Sequence, residues 1–200
     1  MRALMDNFPL LNQLPIFQFP DMCESTRLLL RRPRVDHVAA VFAIHGDPET
    51  SRYNPAGPLK NIEQAQSTVN TWQHQWQQRG HGMWIIALKD NPEQVIGFGG
   101  LTHKMYGETE RLNLGYRFTP SVWGRGLASE LAAFALIQAF ETLRVEQVCA
   151  IVRPKNLVSR KVLERIGMCV VEELDEVPGE ECSLIYRVTK QEFYERSARL

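Results

Sequence analysis

The sequence predicts an α/β protein with one mixed sheet, and three observations carry this. Segments with helical apolar spacing alternate with short β-rich runs along the whole chain. Two of those runs, Met83–Leu88 and Val95–Leu101, flank Lys89-Asp90-Asn91-Pro92-Glu93, a turn by composition, so they should pair as an antiparallel hairpin. A strand at 112–118, a glycine turn, a long apolar helix and a strand at 147–152 then follow one another, which is the order of a parallel crossover.

The elements can be justified in order. Residues 1–24 hold apolar side chains at Leu10, Leu11, Leu14, Ile16 and Phe17, broken by prolines and asparagines. They predict an irregular arm lying over the domain or over a second copy, so a homodimer is an expectation, with residues 25–200 as one domain. Leu28-Leu29-Leu30-Arg31-Arg32 reads as a first strand stopped by Pro33, and Val35–Ile44 as a helix ending near Gly46. The prolines at 48, 55 and 58 make 47–60 a loop. Ile62–Gln78 is a second helix, with Val69, Trp72 and Trp76 on one side and Gly80 to Gly82 ending it. Its tryptophans could wall an acceptor pocket, although core packing is the plainer expectation.

Leu127–Leu143 is apolar almost throughout, as expected of a helix buried against a sheet. Asn156 is a good N-cap for a short helix with Val158, Val162 and Ile166 in a stripe and Gly167 as C-cap. Runs 168–174 and 183–189 close the sheet, and 190–200 reads as a charged terminal helix.

Composition narrows the function. Lys plus Arg equal Asp plus Glu at 23 each, so no overall basic field would draw nucleic acid or an anionic membrane, and any anion site must be local. No uninterrupted apolar run is long enough for a signal peptide or membrane span, which points to a cytoplasmic protein. Four cysteines without C-x-x-C pairing are expected to be reduced, with Cys149 and Cys169 buried. The five histidines show no metal-ligand spacing, so no metal site is expected. The Arg31, Arg32 and Arg34 cluster could meet an acidic substrate, but reads better as a solvated strand end.

The richest stretch is Trp123-Gly124-Arg125-Gly126-Leu127-Ala128-Ser129-Glu130. Two glycines one residue apart let the backbone turn sharply and approach a ligand, and the helix they open presents unpaired N–H groups at its positive end. That suits a phosphate. A Walker loop is excluded because no Gly-Lys-Ser/Thr ends the turn. A dinucleotide fold fits poorly, since Ser129 stands at the third glycine position and five residues separate Phe118 from Gly124.

The turn resembles the Q/R-x-x-G-x-G/A motif of the GCN5-related N-acetyltransferases. The resemblance extends through Leu114-Gly115-Tyr116, Pro120, Asn156-Leu157-Val158-Ser159 and 162–168. It is widest to the subgroup that includes the ribosomal-protein N-terminal (RimJ/RimL-type) acetyltransferases. It implies a mostly antiparallel central sheet, splayed to admit pantetheine, with helices on both faces. It implies acetyl-CoA as co-substrate, and an acyltransferase acting on a primary amine, either a protein N-terminal α-amine or a small molecule.

Carried onto this chain, the resemblance places pyrophosphate on the main chain of Gly124, Arg125, Gly126, Leu127, Ala128 and Ser129, and pantetheine along Tyr116, Arg117 and Phe118 and beside Asn156. An N–H near Gly115 or Tyr116 would stabilise the oxyanion. Asn113 stands where many members have a glutamate, and Leu163 where many have a tyrosine. An amide cannot take a proton, so Glu110 is the favoured base, beside Glu108 and His103, and Ser159 the hydroxyl for the leaving sulfur. Asn113 and Leu163 keep a second class open, an acyl-CoA-binding sensor without turnover.

Overall fold

The computed structural model describes residues 19–177 and 179–197. The chain enters through β1 (Met22–Glu24) and β2 (Leu28–Arg31), antiparallel partners. A 3₁₀ turn at Val35–His37 leads into α1 (Val38–His45), and α2 (Ile62–Arg79) follows the proline-rich loop. Asn61 caps α2 by accepting from the Gln64 N–H, and Gly80 ends it in the left-handed region at φ 70°. The sheet continues as β3 (Met83–Leu88), β4 (Asn91–Tyr106) and β5 (Thr109–Phe118). After α3 (Leu127–Ile137), which runs on as π-helix through Gln138–Thr142, come β6 (Gln147–Val152), α4 (Leu157–Arg165), β7 (Cys169–Leu174), β8 (Ser183–Thr189) and α5 (Lys190–Ser197).

The strand order is β1-β2-β3-β4-β5-β6-β8-β7, and every neighbouring pair is antiparallel except β5 and β6. Two cores follow from the alternation of side chains across this sheet. On one face Ile85 and Phe98 pack with Val38, Val41, Ile44, Val69 and Trp72 of α1 and α2. On the other, Trp84, Leu101, Leu114 and Phe118 pack with Leu127, Leu131 and Leu136 of α3. Gly99 permits this closeness: a Cβ there would lie 2.5 Å from Leu131 Cδ2. Trp72 and Trp76 are both core residues.

Several expectations need correction. β4 already begins at Asn91, inside the expected turn, and a second, longer hairpin follows the expected one: β4 and β5 stay in register from Gly97↔Phe118 to Tyr106↔Thr109, so 104–110 is strand except for a turn at Gly107 and Glu108. Main-chain pairing carries the polar part, and Arg111–Glu172 and Lys104–Glu176 pairs tie it to β7 and the segment after it. Residues 22–24, expected within the irregular arm, form the edge strand β1, and Phe19 is buried against Trp76 and Trp84. Leu10, Leu11, Leu14, Ile16 and Phe17 lie outside the described residues.

In α4 the buried side chain is Leu163, while Val158 is 75% exposed. The helix has nine residues, and its first turn projects beyond the core that Leu163 and Met168 enter. Cys169 is exposed, not buried, because β7 is the last strand and Val170 and Val171 beside it are exposed too. All four cysteines are unpaired. Among the described residues no helix is long and apolar enough to cross a membrane.

Candidate active site

The glycine turn lies between β5 and α3. Gly124 and Gly126 take φ of 73° and 75°, the left-handed region that glycine enters without steric penalty. Gly126 is the helix N-cap and lends no side chain to it. The first helical bond runs from the Glu130 N–H to the Gly126 carbonyl at 3.1 Å. Among the described residues, no acceptor in the chain meets the N–H groups of Gly124, Arg125, Gly126, Leu127, Ala128 or Ser129. Six donors at the positive end of one helix form a seat for a diphosphate.

A carboxylate braces this turn from behind. Glu130 accepts from Ser25 Oγ at 2.7 Å and from the Arg27 N–H and Nε at 2.6 Å each, while Arg27 Nη1 donates to the Arg125 carbonyl at 2.9 Å. Burial pushes the Glu130 carboxyl up, but these hydrogen bonds outweigh it and hold it below its ordinary value. The glutamate was legible within the motif. Its partners Ser25 and Arg27, about a hundred residues away, gave no sequence signal.

Beside the turn the sheet opens. β5 and β6 are bridged at one pair, Asn113↔Cys149, although each strand continues beyond it toward the turn. The Thr119 N–H donates to the Ile96 carbonyl on β4, so by strand alternation Leu114, Tyr116 and Phe118 direct their main-chain groups toward β6, into the gap. The main chain of Arg117 faces β4 instead, which corrects its expected place among the pantetheine partners. The Trp123 indole N–H donates to the Phe118 carbonyl at 2.8 Å, occupying one acceptor of that edge.

Tyr116 and Ser159 meet on the α3 face: the Tyr116 hydroxyl donates to the Ser159 carbonyl at 3.4 Å. The Ser159 hydroxyl has no partner among the described residues. Asn156 caps α4 by accepting from the Ser159 N–H at 3.2 Å, which commits its side-chain oxygen to the helix. Leu163 is buried in the core, so that position offers no acid. Burial pushes the Tyr116 phenol well above its ordinary value, so it stays neutral.

Glu110 is not brought to the site. It sits on β5 opposite Met105, three residues from Asn113 and on the other face, pairing with Arg79 at 3.0 Å and His103 at 3.3 Å. Three strand residues span roughly 10 Å. Period-two alternation along the paired strands separates it from the apex of the gap. His103 belongs to the same remote cluster with His81, and Glu108 lies in the turn.

At the apex Asn113 is 8% exposed, and its Oδ1 accepts from the Tyr106 hydroxyl at 2.6 Å. Four residues on and on the same face, Arg117 donates from Nη1 to Ser51 Oγ at 2.5 Å and reaches Thr50 Oγ1 at 3.5 Å. Burial lowers its guanidinium to about 10, which leaves it charged at neutral pH. Sequence reading missed Tyr106, Thr50 and Ser51, which carry no motif. The Arg31, Arg32 and Arg34 cluster borders a separate cleft with Asp21 and Gln73, and its cations are engaged by the Pro92 carbonyl, Asp21 and Asp36. Among the described residues no three His, Cys, Asp or Glu side chains group closely enough for a metal.

Comparison with known proteins bears on this arrangement. The family model described as the acetyltransferase (GNAT) domain matches residues 27–169. The uncharacterized N-acetyltransferase YoaA of Bacillus subtilis is 30% identical over 151 residues, covering 74% of this chain and 82% of that protein. A crystal structure of an acetyltransferase from Agrobacterium tumefaciens superposes with a TM-score of 0.72 at 26% identity, covering 86% of this chain and 96% of the other. Mycobacterium smegmatis RimJ, in complex with CoA-disulfide, has the same fold, with a TM-score of 0.72 at 21% identity over 86% of this chain and 88% of that one.

Proposed function

The chain belongs to the GNAT acetyltransferase family, and from that premise we propose that it moves the acetyl group of acetyl-CoA directly to a primary amine in a ternary complex. One observation carries this reading: six main-chain N–H groups without an acceptor among the described residues lie beside a strand pair held together by a single bridge. The donors at Gly124–Ser129 fit a diphosphate, and the edges of Leu114, Tyr116 and Phe118 fit the amides of a pantetheine arm laid in as an extra strand. The solved RimJ neighbour holds a CoA species on the same fold, which supports that placement.

When bound, acetyl-CoA supplies an activated thioester. The acceptor nitrogen attacks the thioester carbon, the C–N bond forms as the C–S bond breaks, and the Tyr116 N–H, which faces the gap while the main chain of Gly115 pairs with Gly100 on β4, steadies the oxyanion. The amine yields its proton to water, because neither Asn113 nor the neutral phenols of Tyr106 and Tyr116 can take it. The Ser159 hydroxyl donates to the departing sulfur. Positioning in the gap supplies much of the rate, so a dedicated base is dispensable. Free thiols and a CoA substrate agree with a cytoplasmic enzyme.

The missing base at the apex is also what a non-catalytic acyl-CoA sensor would show. One measurement separates the two: release of free CoA thiol from acetyl-CoA with N-terminal peptides, amino acids and polyamines. Amine-dependent release is expected. Tight acetyl-CoA binding without release for any amine favours the sensor.

A further inference from the structure

Resting on the acetyl-transfer reading, we propose that the acceptor amine carries a carboxylate, which Arg117 holds on the face of the sheet that bears α1 and α2. The opposite face of the gap is already covered, since α3 packs over Leu114 and Phe118, and Ser159 of α4 over Tyr116. The thioester is therefore approached from the side on which Asn113, Gly115 and Arg117 follow one another along β5.

These three positions form a small recognition strip. Asn113 has its oxygen committed to Tyr106, so what it offers is an NH₂ donor. Gly115 is a notch beside it: a Cβ built there would meet only that Asn113 nitrogen, at 3.5 Å. Arg117 stands two residues, roughly 7 Å, beyond the notch, within reach of a carboxylate borne by an amine seated over Gly115.

The charge pattern selects the ligand. Among the described residues Arg117 has no carboxylate partner, only the Ser51 and Thr50 hydroxyls, although it is half-buried. A half-buried cation without a counter-charge has lost part of its hydration, and an anionic ligand offsets that loss. Across the gap, Arg153 stands at the equivalent position, four residues beyond the bridge, and shares Glu180 at 2.7 Å and Ser183 at 3.3 Å. Two guanidiniums with one carboxylate between them suit an anionic acceptor and repel a polycation. The same field favours the neutral amine over its ammonium form, which helps a site that has no base.

The carboxylate could be the α-carboxylate of a free amino acid or an acidic side chain in an N-terminal peptide, so both are assayed. Free amino acids, peptides with an acidic second residue, the amidated counterparts of each, and spermidine are compared by CoA-thiol release. Their binding to the protein saturated with free CoA is compared by calorimetry. A carboxylate-bearing amine should exceed its amide at least tenfold in kcat/KM or in affinity. Arg117→Gln should bring that ratio close to one, and Arg117→Lys should restore part of it. Equal use of acid and amide, preference for spermidine, or a ratio that survives Arg117→Gln overturns the inference while leaving acetyl transfer intact. If no amine releases thiol, the transfer reading fails, and the calorimetric ratio on the unmutated protein still decides the inference. That ratio also decides it if Arg117→Gln does not fold.

Discussion

Gly126 concentrates the chemistry of the turn in one residue. Its φ of 75° disfavours any side chain, while the space around it would admit one, because an added Cβ would only touch Arg27 Nη2 at 3.7 Å. Gly126→Val therefore acts through the backbone: the left-handed conformation costs a β-branched residue on the order of 1–2 kcal/mol. Relaxing that strain rotates the N–H groups at the head of α3. Calorimetry should show acetyl-CoA affinity falling more than tenfold, with circular dichroism still reporting a folded protein. Unchanged affinity would take the diphosphate away from this turn. Asn113 shows the opposite lesson, for an apparent loss of a base becomes a fixed donor once Tyr106 is seen to hold its oxygen.

The junction of β1, β2 and α3 is an element-level device. Glu130, in the first turn of α3, draws Ser25 and Arg27 onto it, and through them fixes the carbonyl of Arg125 inside the glycine turn. A carboxylate at a helix N-terminus is favourable in itself, and the three hydrogen bonds it accepts add to this. Removing it forfeits these three hydrogen bonds, although the half-exposed Arg27 guanidinium regains water, so Glu130→Ala should destabilise by about 2–3 kcal/mol. In a domain of this size that corresponds to a fall in Tm of roughly 5–10 °C, accompanied by weaker acetyl-CoA binding. A melting curve that matches the parent would show the brace to be idle. The long β4–β5 hairpin is the second such device: it carries Glu110 away from the gap and presents Asn113, Gly115 and Arg117 to it.

Across the whole molecule, buried histidines link stability to pH. Burial lowers His81 to about 4, with its Nδ1 against the Arg79 carbonyl and its Nε2 buried without a partner, and burial lowers His45 to about 4 as well. The unfolded chain titrates these rings near 6.5, so between 6.5 and 4 it binds more protons than the folded one. Stability is then complete above pH 6.5 and declines as pH falls toward 4, by up to about 3 kcal/mol for a ring as buried as His81. Thermal melts from pH 7.5 to 5 should show Tm falling below 6.5, and His81→Asn should flatten that fall. A Tm constant over this range would mean that these rings are not held neutral.

Much of this protein was legible in its sequence because much of it is local. The start of α2 at Ile62, its glycine terminus, the span of β6 and the Asn156-headed helix depend on a few neighbouring residues, and all appear where their signals lie. So does the turn at Gly124 and Gly126, whose steric demand is set within the motif itself. Non-local pairing decided the rest. Only the folded sheet shows how far β4 and β5 remain paired, which turns Glu110 to the face opposite Asn113, or that β5 and β6 part after one bridge. Only packing shows that Val158 faces outward and Leu163 inward, and that an arginine expected to lend its main chain to pantetheine directs its side chain to Ser51. Spacing along a chain fixes which residues can share a turn of helix; contacts between distant segments settle which face of a strand meets the substrate.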